Sequence, residues 1–251
     1  MKQILLSLLL LCSLGVYAQD VVVTRQRKQQ TTTKPKQNGS QKKQSKATTK
    51  TSVIESDPSG YANGHGYVDL GLPSGTFWAT CNIGANNPEQ YGDYYAWGEI
   101  STKKSYHENN SKWHNVSKKD LQSMNVINNN GKLTSQYDVA NQKWGVHWHI
   151  PSVDQFRELL ENTNKTWTKI NGRGGFLFKS KINGNSLFLP AAGDKYYGTL
   201  RYSGERGNYW TSESSDKSAV HCYFHSGDAY PDLVLYCYYG QPIRPVYQNK
   251  R

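Results

Sequence analysis

Phe176-Leu177-Phe178-Lys179-Ser180-Lys181-Ile182-Asn183-Gly184-Asn185-Ser186-Leu187-Phe188-Leu189 is the stretch on which the fold class turns. Two short apolar runs flank Asn-Gly, a pair that supplies the two positive-φ positions of a type I′ turn. With Asn183-Gly184 as the turn, Ile182 faces Asn185 and Phe178 faces Leu189. Phe176, Phe178, Leu187 and Leu189 then share one face, which is the core face of a hairpin.

Outward from this hairpin the chain keeps the same texture. Short apolar runs are punctuated by Gly, Asn and Ser, which reads as many short strands, long loops and few helices. Residues 67–72 and 76–81 read as strands on either side of the turn Pro73-Ser74-Gly75. Gly92-Asp93-Tyr94-Tyr95-Ala96-Trp97-Gly98-Glu99 reads as a further aromatic strand, and residues 101–135 as a long polar loop with a helical turn after Ser117. One helix stands out. Ser152 follows Pro151 and can cap the first turn, Asp154 and Gln155 suit a helix start, and Val153, Phe156, Leu159 and Leu160 fall on one face. That face should lie across the sheet.

A second hairpin is expected from residues 219–225 and 233–239, with 226–232 at its tip. The simplest register sets Phe224 against Leu235 and Cys222 against Cys237. A disulfide between Cys222 and Cys237 is then geometrically open, with two buried free thiols as the alternative. Cys81, the remaining one of the three cysteines after residue 18, is expected to be free.

The first 54 residues differ in kind. Lys2, an apolar run over residues 4–14 and the small residues of Val16-Tyr17-Ala18 predict a cleavable signal peptide over 1–18, with cleavage before Gln19. Leu11 precedes Cys12, whereas a small residue normally precedes a lipid-modified Cys, so the leader is not read as a lipoprotein signal. No later apolar stretch reaches the ~20 residues of a membrane-spanning helix. Residues 19–54 carry nine Lys or Arg and one acid, Asp20. They are dominated by Thr, Lys, Gln and Ser, which predicts a disordered spacer that could also tether to anionic envelope polymer. Residues 55–251 carry 20 basic and 18 acidic residues, a net of 20 − 18 = +2. The basic balance of the whole chain, +11, therefore describes the spacer, and nucleic acid is not the expected partner of the domain.

A set of motifs in order resembles the Fibrobacter succinogenes major paralogous domain. They are Tyr67-Val68-Asp69-Leu70-Gly71-Leu72-Pro73-Ser74-Gly75, Trp78-Ala79-Thr80-Cys81-Asn82-Ile83-Gly84-Ala85 and Tyr91-Gly92-Asp93-Tyr94-Tyr95-Ala96-Trp97-Gly98-Glu99. Further on come Tyr137-Asp138, Trp144-Gly145, Pro151-Ser152, Phe188-Leu189-Pro190-Ala191-Ala192-Gly193, Tyr209-Trp210-Thr211-Ser212 and Ile243-Arg244-Pro245-Val246. The order of the last motifs also resembles the C-type-lectin-like fold in its formylglycine-generating-enzyme branch. The resemblance implies an exported bacterial protein whose α+β domain has a twisted antiparallel sheet, one or two helices, long loops and neighbouring termini. His147, His149, Cys222 and Cys237 depart from the family pattern.

No catalytic or metal set emerges from the residues. His147-Trp148-His149 places two imidazoles on one side of an extended segment, without a third ligand nearby in sequence. Gln241-Pro242 is followed by Ile243, and Trp210 by Thr211-Ser212, so the calcium motifs of C-type lectins are not matched. The core-facing parity of Cys222 and Cys237 argues against the copper-thiol chemistry of the formylglycine-generating enzymes. No cofactor is expected. What remains is Tyr-rich surface between residues 194 and 239, interleaved with Gly, Ser and Asp, a composition suited to glycan or protein ligands. Tyr196, Tyr197, Asp228, Tyr230 and Asp232 are the expected contact residues, with Asp228 and Asp232 flanking Tyr230 at the hairpin tip. The sequence thus points first to an exported, non-catalytic binding or adhesion module at the cell surface or in the periplasm, and second to an envelope-associated structural subunit.

Overall fold

The computed structural model describes residues 57–248. The expected leader, Cys12 and the 19–54 spacer lie outside the described residues. The described chain forms four antiparallel sheets with three short α-helices among them, an α+β arrangement.

The first sheet gathers both ends of the domain. Strands β1 (Gly60–Ala62), β2 (His65–Val68) and β3 (Phe77–Ala79) are joined by the last strand, β13 (Val246–Tyr247), and by β4 (Trp148–His149), in the order β1-β2-β3-β13-β4. Val246 pairs with Trp78 on one side and His149 on the other. The second sheet is β5 (Thr163–Ile170), β6 (Arg173–Ser180) and β7 (Ser186–Pro190). A small hairpin follows, β8 (Asp194–Tyr196) and β9 (Thr199–Arg201), and then the sheet of β10 (Arg206–Ser215), β11 (Ser218–His225) and β12 (Ala229–Leu235).

Helix α1 (Lys118–Ser123) is capped by Ser117, and α2 (Val139–Trp144) by Asp138. Helix α3 (Val153–Asn162) begins as its sequence predicts. Ser152 Oγ accepts from Gln155 N, and Ser152 N donates to Gln155 Oε1 at 2.8 Å, closing a capping box. Phe156 and Leu159 are fully buried, with Val153 and Leu160 half-buried around them.

The decisive hairpin forms between β6 and β7, with a correction. Phe178 faces Leu187 and Phe176 faces Leu189, a slip of two residues from the expected register. Asn183 does not take a positive φ; only Gly184 does, at +79°. Local side chains decide this. Ser180 Oγ accepts from Ile182 N at 3.0 Å and donates to Leu70 O at 2.6 Å, and Asn183 Oδ1 accepts from Asn185 N at 3.1 Å. These bonds tie a wider loop to the neighbouring chain. A slip of two preserves side-chain parity, so the four predicted core residues are all buried.

The β11–β12 hairpin is tighter than expected. His225 N donates to Asp228 O at 3.0 Å, so the chain turns at residues 226–227 and Ala229 already pairs with Phe224. Leu235 faces Ala219 rather than Phe224, across a bulge between His221 and Tyr223. Cys222 lies opposite Tyr209 of β10, while Cys237 lies beyond the end of β12. The two thiols belong to different core clusters and both are free, so the expected register of Cys222 against Cys237 does not form and the arrangement is that of two buried free thiols. Cys81 is also free. The expected strand at residues 92–99 is a loop carrying one bridge, Tyr95 to Gln241.

Two clusters fill the interior. One holds Trp97, Trp148 and Trp210 with the short helices α1 and α2; the other packs α3 and Trp78 against Phe176, Phe178, Tyr209 and Phe224. Arg244 is fully buried on the last stretch before β13. Its guanidinium donates to Asn82 Oδ1 at 2.7 Å and to the carbonyls of Ala79, Thr80 and Pro88.

Candidate functional site

The β8–β9 hairpin carries the most unusual surface of the domain. Asp194 pairs with Arg201 and Tyr196 with Thr199, which leaves Tyr197-Gly198 as a two-residue turn. Both take positive φ, +46° and +81°, as a type I′ turn requires. Glycine adopts this region freely, but a bulky L-residue such as Tyr197 does so under strain. Three contacts hold it there. Tyr197 N donates to Tyr106 O at 3.0 Å, its hydroxyl donates to Glu108 Oε1 at 2.9 Å, and its ring stacks on His107 at 5.2 Å and 9°. Glu108 is held below the usual carboxylate range by backbone donation and by this hydroxyl.

The hairpin is pinned to residues 236–240. Lys195 N donates to Gly240 O at 2.7 Å, and Gly240 N returns a bond to Lys195 O at 2.9 Å. A Cβ at Gly240 would meet the buried Tyr106 ring at 2.9 Å, so close backbone approach demands glycine here. Underneath, Trp97 N donates to Cys237 O, and Tyr95 and Gln241 exchange backbone bonds.

These constraints line up a continuous wall of rings. Tyr236 stacks on Tyr238 at 5.3 Å and 8°; Tyr238 meets Tyr239 at 4.9 Å; Tyr239 stacks on Tyr196 at 4.9 Å; Tyr196 meets Tyr197 edge-on at 4.5 Å. The Arg201 guanidinium lies 5.0 Å from the Tyr196 centroid and 5.1 Å from that of Tyr239, within cation–π range. Its Nε donates to Asp194 Oδ1 at 2.8 Å, which fixes its plane. The wall is accessible at both ends, since Tyr236 and Tyr197 are each more than half exposed. Tyr238 is buried among its neighbours, which pushes its hydroxyl above the usual phenol range. Such a wall can cover the apolar face of a sugar or peptide while several hydroxyls exchange hydrogen bonds with it.

The five sequence-predicted contact residues fall into two groups. Tyr196 and Tyr197 belong to the wall. Asp228, Tyr230 and Asp232 lie on the β11–β12 hairpin, against α3 and β5. Tyr230 and Asp232 are strand residues rather than tip residues, and Tyr230 stacks loosely on Tyr223 at 6.2 Å. Asp228 pairs with Lys165 at 2.7 Å and Asp232 with Arg157 at 3.4 Å, so both carboxylates are already engaged. The expected placement of Tyr230 and Asp232 at the hairpin tip is therefore corrected, while both carboxylates do face solvent. Sequence reasoning passed over Arg201, His107 and Glu108. The spacing Asp194…Arg201 across a Tyr-Gly turn was a signal for Arg201, whereas His107 and Glu108 carry none.

Other notable groups are core groups. Gln241 is fully buried and its amide lies 3.2 Å from His221 Nδ1, so the Gln-Pro pair faces inward. Burial pulls His149 down to about 4, and its Nε2 lies 3.4 Å from Gln155 Nε2. Among the described residues no group of three or more His, Cys, Asp or Glu side chains is close enough to hold a metal ion. A separate cavity of about 400 Å³ near the start of the domain is lined by Tyr61, His65, Cys81, Asn86, Asn87 and Trp144. The His65 ring lies flat on Trp144 at 3.8 Å.

Comparison of the chain with protein-family models, with curated proteins and with solved structures finds no match.

Proposed function

We propose that the protein is an exported, non-catalytic binding or adhesion module of C-type-lectin-like architecture, related to the Fibrobacter succinogenes major paralogous domain. It takes a glycan or protein ligand on the tyrosine wall. The observation that carries this reading is the continuity of Tyr236, Tyr238, Tyr239, Tyr196 and Tyr197 with Arg201 stacked against it. Aromatic rings give large contact area at low entropic cost, and here the backbone bonds of residues 195 and 240 set them in place before any ligand arrives. The shared sheet of β1–β3 and β13 agrees with the neighbouring termini of that architecture. The signal peptide and basic spacer expected from the sequence support a location outside the cytoplasm, at the cell surface or in the periplasm. A thiol-copper activity finds no support in the two buried, separated cysteines Cys222 and Cys237.

Screening the chain from Gln19 onward on glycan and extracellular-protein arrays tests the reading. Tyr196→Ala and Tyr236→Ala should each weaken any hit about tenfold or more, since exposed aromatic anchors dominate such interfaces. Full affinity in both folded variants would remove the wall from consideration.

A further inference from the structure

The tyrosine wall continues beyond Arg201. The guanidinium that lies against Tyr196 and Tyr239 is also 5.5 Å from the ring centroid of Tyr202, and the Arg206 guanidinium lies 3.9 Å from that same ring. Rings and cations thus alternate from Tyr239 through Arg201 and Tyr202 to Arg206, with every step within cation–π range.

Tyr202 is held in this ladder much as Tyr197 is held at the hairpin turn. It is 41 % exposed and its φ is +56°, a conformation costly for a bulky L-residue. Its carbonyl accepts from Glu205 N at 3.1 Å and from Arg206 N at 2.9 Å, and Gly204 N donates to Ala191 O at 2.7 Å. A Cβ at Gly193 would lie 1.9 Å from Arg201 O, so the two backbones are pressed together where only glycine fits.

The cations of the ladder differ in what they hold. Arg201 Nε donates to Asp194 Oδ1, so its donor edge is taken. Among the described residues Arg206 forms no ion pair, and neither does Glu205, the exposed acid beside it in sequence. Burial pushes the Asp194 carboxyl up while Arg201 and Arg206 oppose it, so Arg206 acts on that carboxylate through space only. A guanidinium seated over a ring keeps its in-plane N–H donors, a fork that takes a carboxylate through two hydrogen bonds. Lys195 and Arg173 add positive field nearby, at 4.8 Å from the Tyr94 ring and 4.4 Å from the Tyr91 ring.

The backbone favours one class of ligand. Strand β8 spends the N–H and C=O of Lys195 on Gly240, so an extended peptide gains no main-chain pairing along that edge. Ring faces flanked by hydroxyls and charged donors suit sugar rings instead. We propose that the wall takes an acidic glycan, whose sugar rings stack on the tyrosines, and that Arg206, seated on Tyr202, receives a uronic-acid carboxylate. This rests on the reading of the wall as a ligand face, and adds the charge of the ligand and the residue that reads it.

Calorimetric titration of the chain spanning residues 19–251 with trigalacturonic acid and with its methyl ester tests the proposal, since the probes differ only in their charged groups. The acid should bind about tenfold tighter than the ester or more, the discrimination expected of one bidentate, charge-assisted pair. Arg206→Gln should bind the two probes within about twofold of each other. Arg206→Lys, which keeps the charge but not the fork, should fall between. Melting curves establish that the variants are folded. Equal affinity of the parent for acid and ester, or binding of neither, overturns the proposal. So does a preference that survives Arg206→Gln, which would assign the effect to the basic residues of the 19–54 segment. Tyr196→Ala should weaken both probes. If it does so while the parent does not distinguish acid from ester, the wall stands and its acid specificity is overturned. If it leaves both affinities unchanged, the wall itself is overturned and the proposal with it.

Discussion

Trp97 and Trp210 brace each other's backbones: the indole N–H of Trp97 donates to Thr211 O at 2.9 Å, and that of Trp210 to Tyr95 O at 2.8 Å. Both side chains are fully buried, and the segments they join lie directly beneath the tyrosine wall, through the Trp97–Cys237 and Tyr95–Gln241 backbone bonds. Trp210→Phe keeps an aromatic ring but leaves the Tyr95 carbonyl without its indole donor and opens space around it. The expected loss is about 2–4 kcal/mol in denaturant unfolding, with a like loss for Trp97→Phe. Losses below about 1 kcal/mol for both would show that the brace is dispensable.

Arg244 makes an equally specific prediction. Every acceptor its hydrogen bonds reach is a neutral oxygen, and burial pulls its guanidinium below the usual range. Its planar fork spans acceptors from Ala79 to Pro88 in several directions, which an ammonium at one point cannot do. Arg244→Lys should therefore destabilise nearly as much as Arg244→Met, by about 3 kcal/mol or more in each case. A Lys variant as stable as the parent would refute the geometric account.

How much of this was legible beforehand depended on the range of the interactions. Helix α3 was readable because Ser152, Gln155, Phe156 and Leu159 announce its cap and its buried face within eight residues. The face of β6 and β7 was readable because parity survives a slip of two. The registers themselves were not, because Ser180 and Asp228 form local side-chain bonds that compete with the simplest turn. Two of the five wall tyrosines, Tyr196 and Tyr197, were picked out through composition alone. Arg201, Glu108 and His107 come together only through the Lys195–Gly240 pairing and the docking of Tyr197 on residues 106–108, contacts between segments far apart in the chain.

Acid should weaken the fold through two histidines. Burial is the main cause that pulls His149 and His221 down to about 4. Between that value and the unfolded value near 6.5 the unfolded chain binds more protons, so stability rises with pH across this window and is lost as pH falls through it. Each imidazole contributes up to about 3 kcal/mol. Asp138 acts in the opposite sense, because burial pushes its carboxyl up to about 6 despite three backbone donors. Burial also lowers His65 and raises Asp194, so the histidines still outnumber the acids, and urea unfolding should show lower stability at pH 4 than at pH 7. A His149→Gln/His221→Gln chain that retained the parent's pH slope would locate the effect elsewhere.

The three cysteines should differ in reactivity. Cys222 and Cys237 are buried, and desolvation pushes both thiols up, Cys237 to about 11. Thiolate is the reactive form, so both are protected twice over. Cys81 is half-buried at the wall of the 400 Å³ cavity. Brief iodoacetamide treatment of the native domain should label Cys81 alone, and treatment in denaturant all three, as read by peptide mass spectrometry. A Cys222–Cys237 bridge in unreduced protein would contradict their placement in separate clusters.

Tyr197 should trade stability against binding. Its positive φ is unfavourable for a bulky residue, and its neighbours are arranged to enforce it: Tyr106 O, Glu108 Oε1 and the His107 ring each hold one part of it. Strain kept in place at a surface turn suggests that the ring is wanted there. Tyr197→Gly relieves the backbone and suits the type I′ turn, while deleting one end of the wall. Its melting temperature should therefore equal or exceed the parent's, and its affinity for a ligand found on the arrays should fall about tenfold or more. Tyr197→Phe separates the contributions, since it keeps the ring and the strain but loses the bond to Glu108. It should bind close to the parent if stacking carries the contact, and as poorly as the Gly variant if the hydroxyl does. A Gly variant that melts well below the parent would mean that the Tyr197 contacts stabilise the hairpin more than its backbone strains it, and the functional reading of that strain would fall.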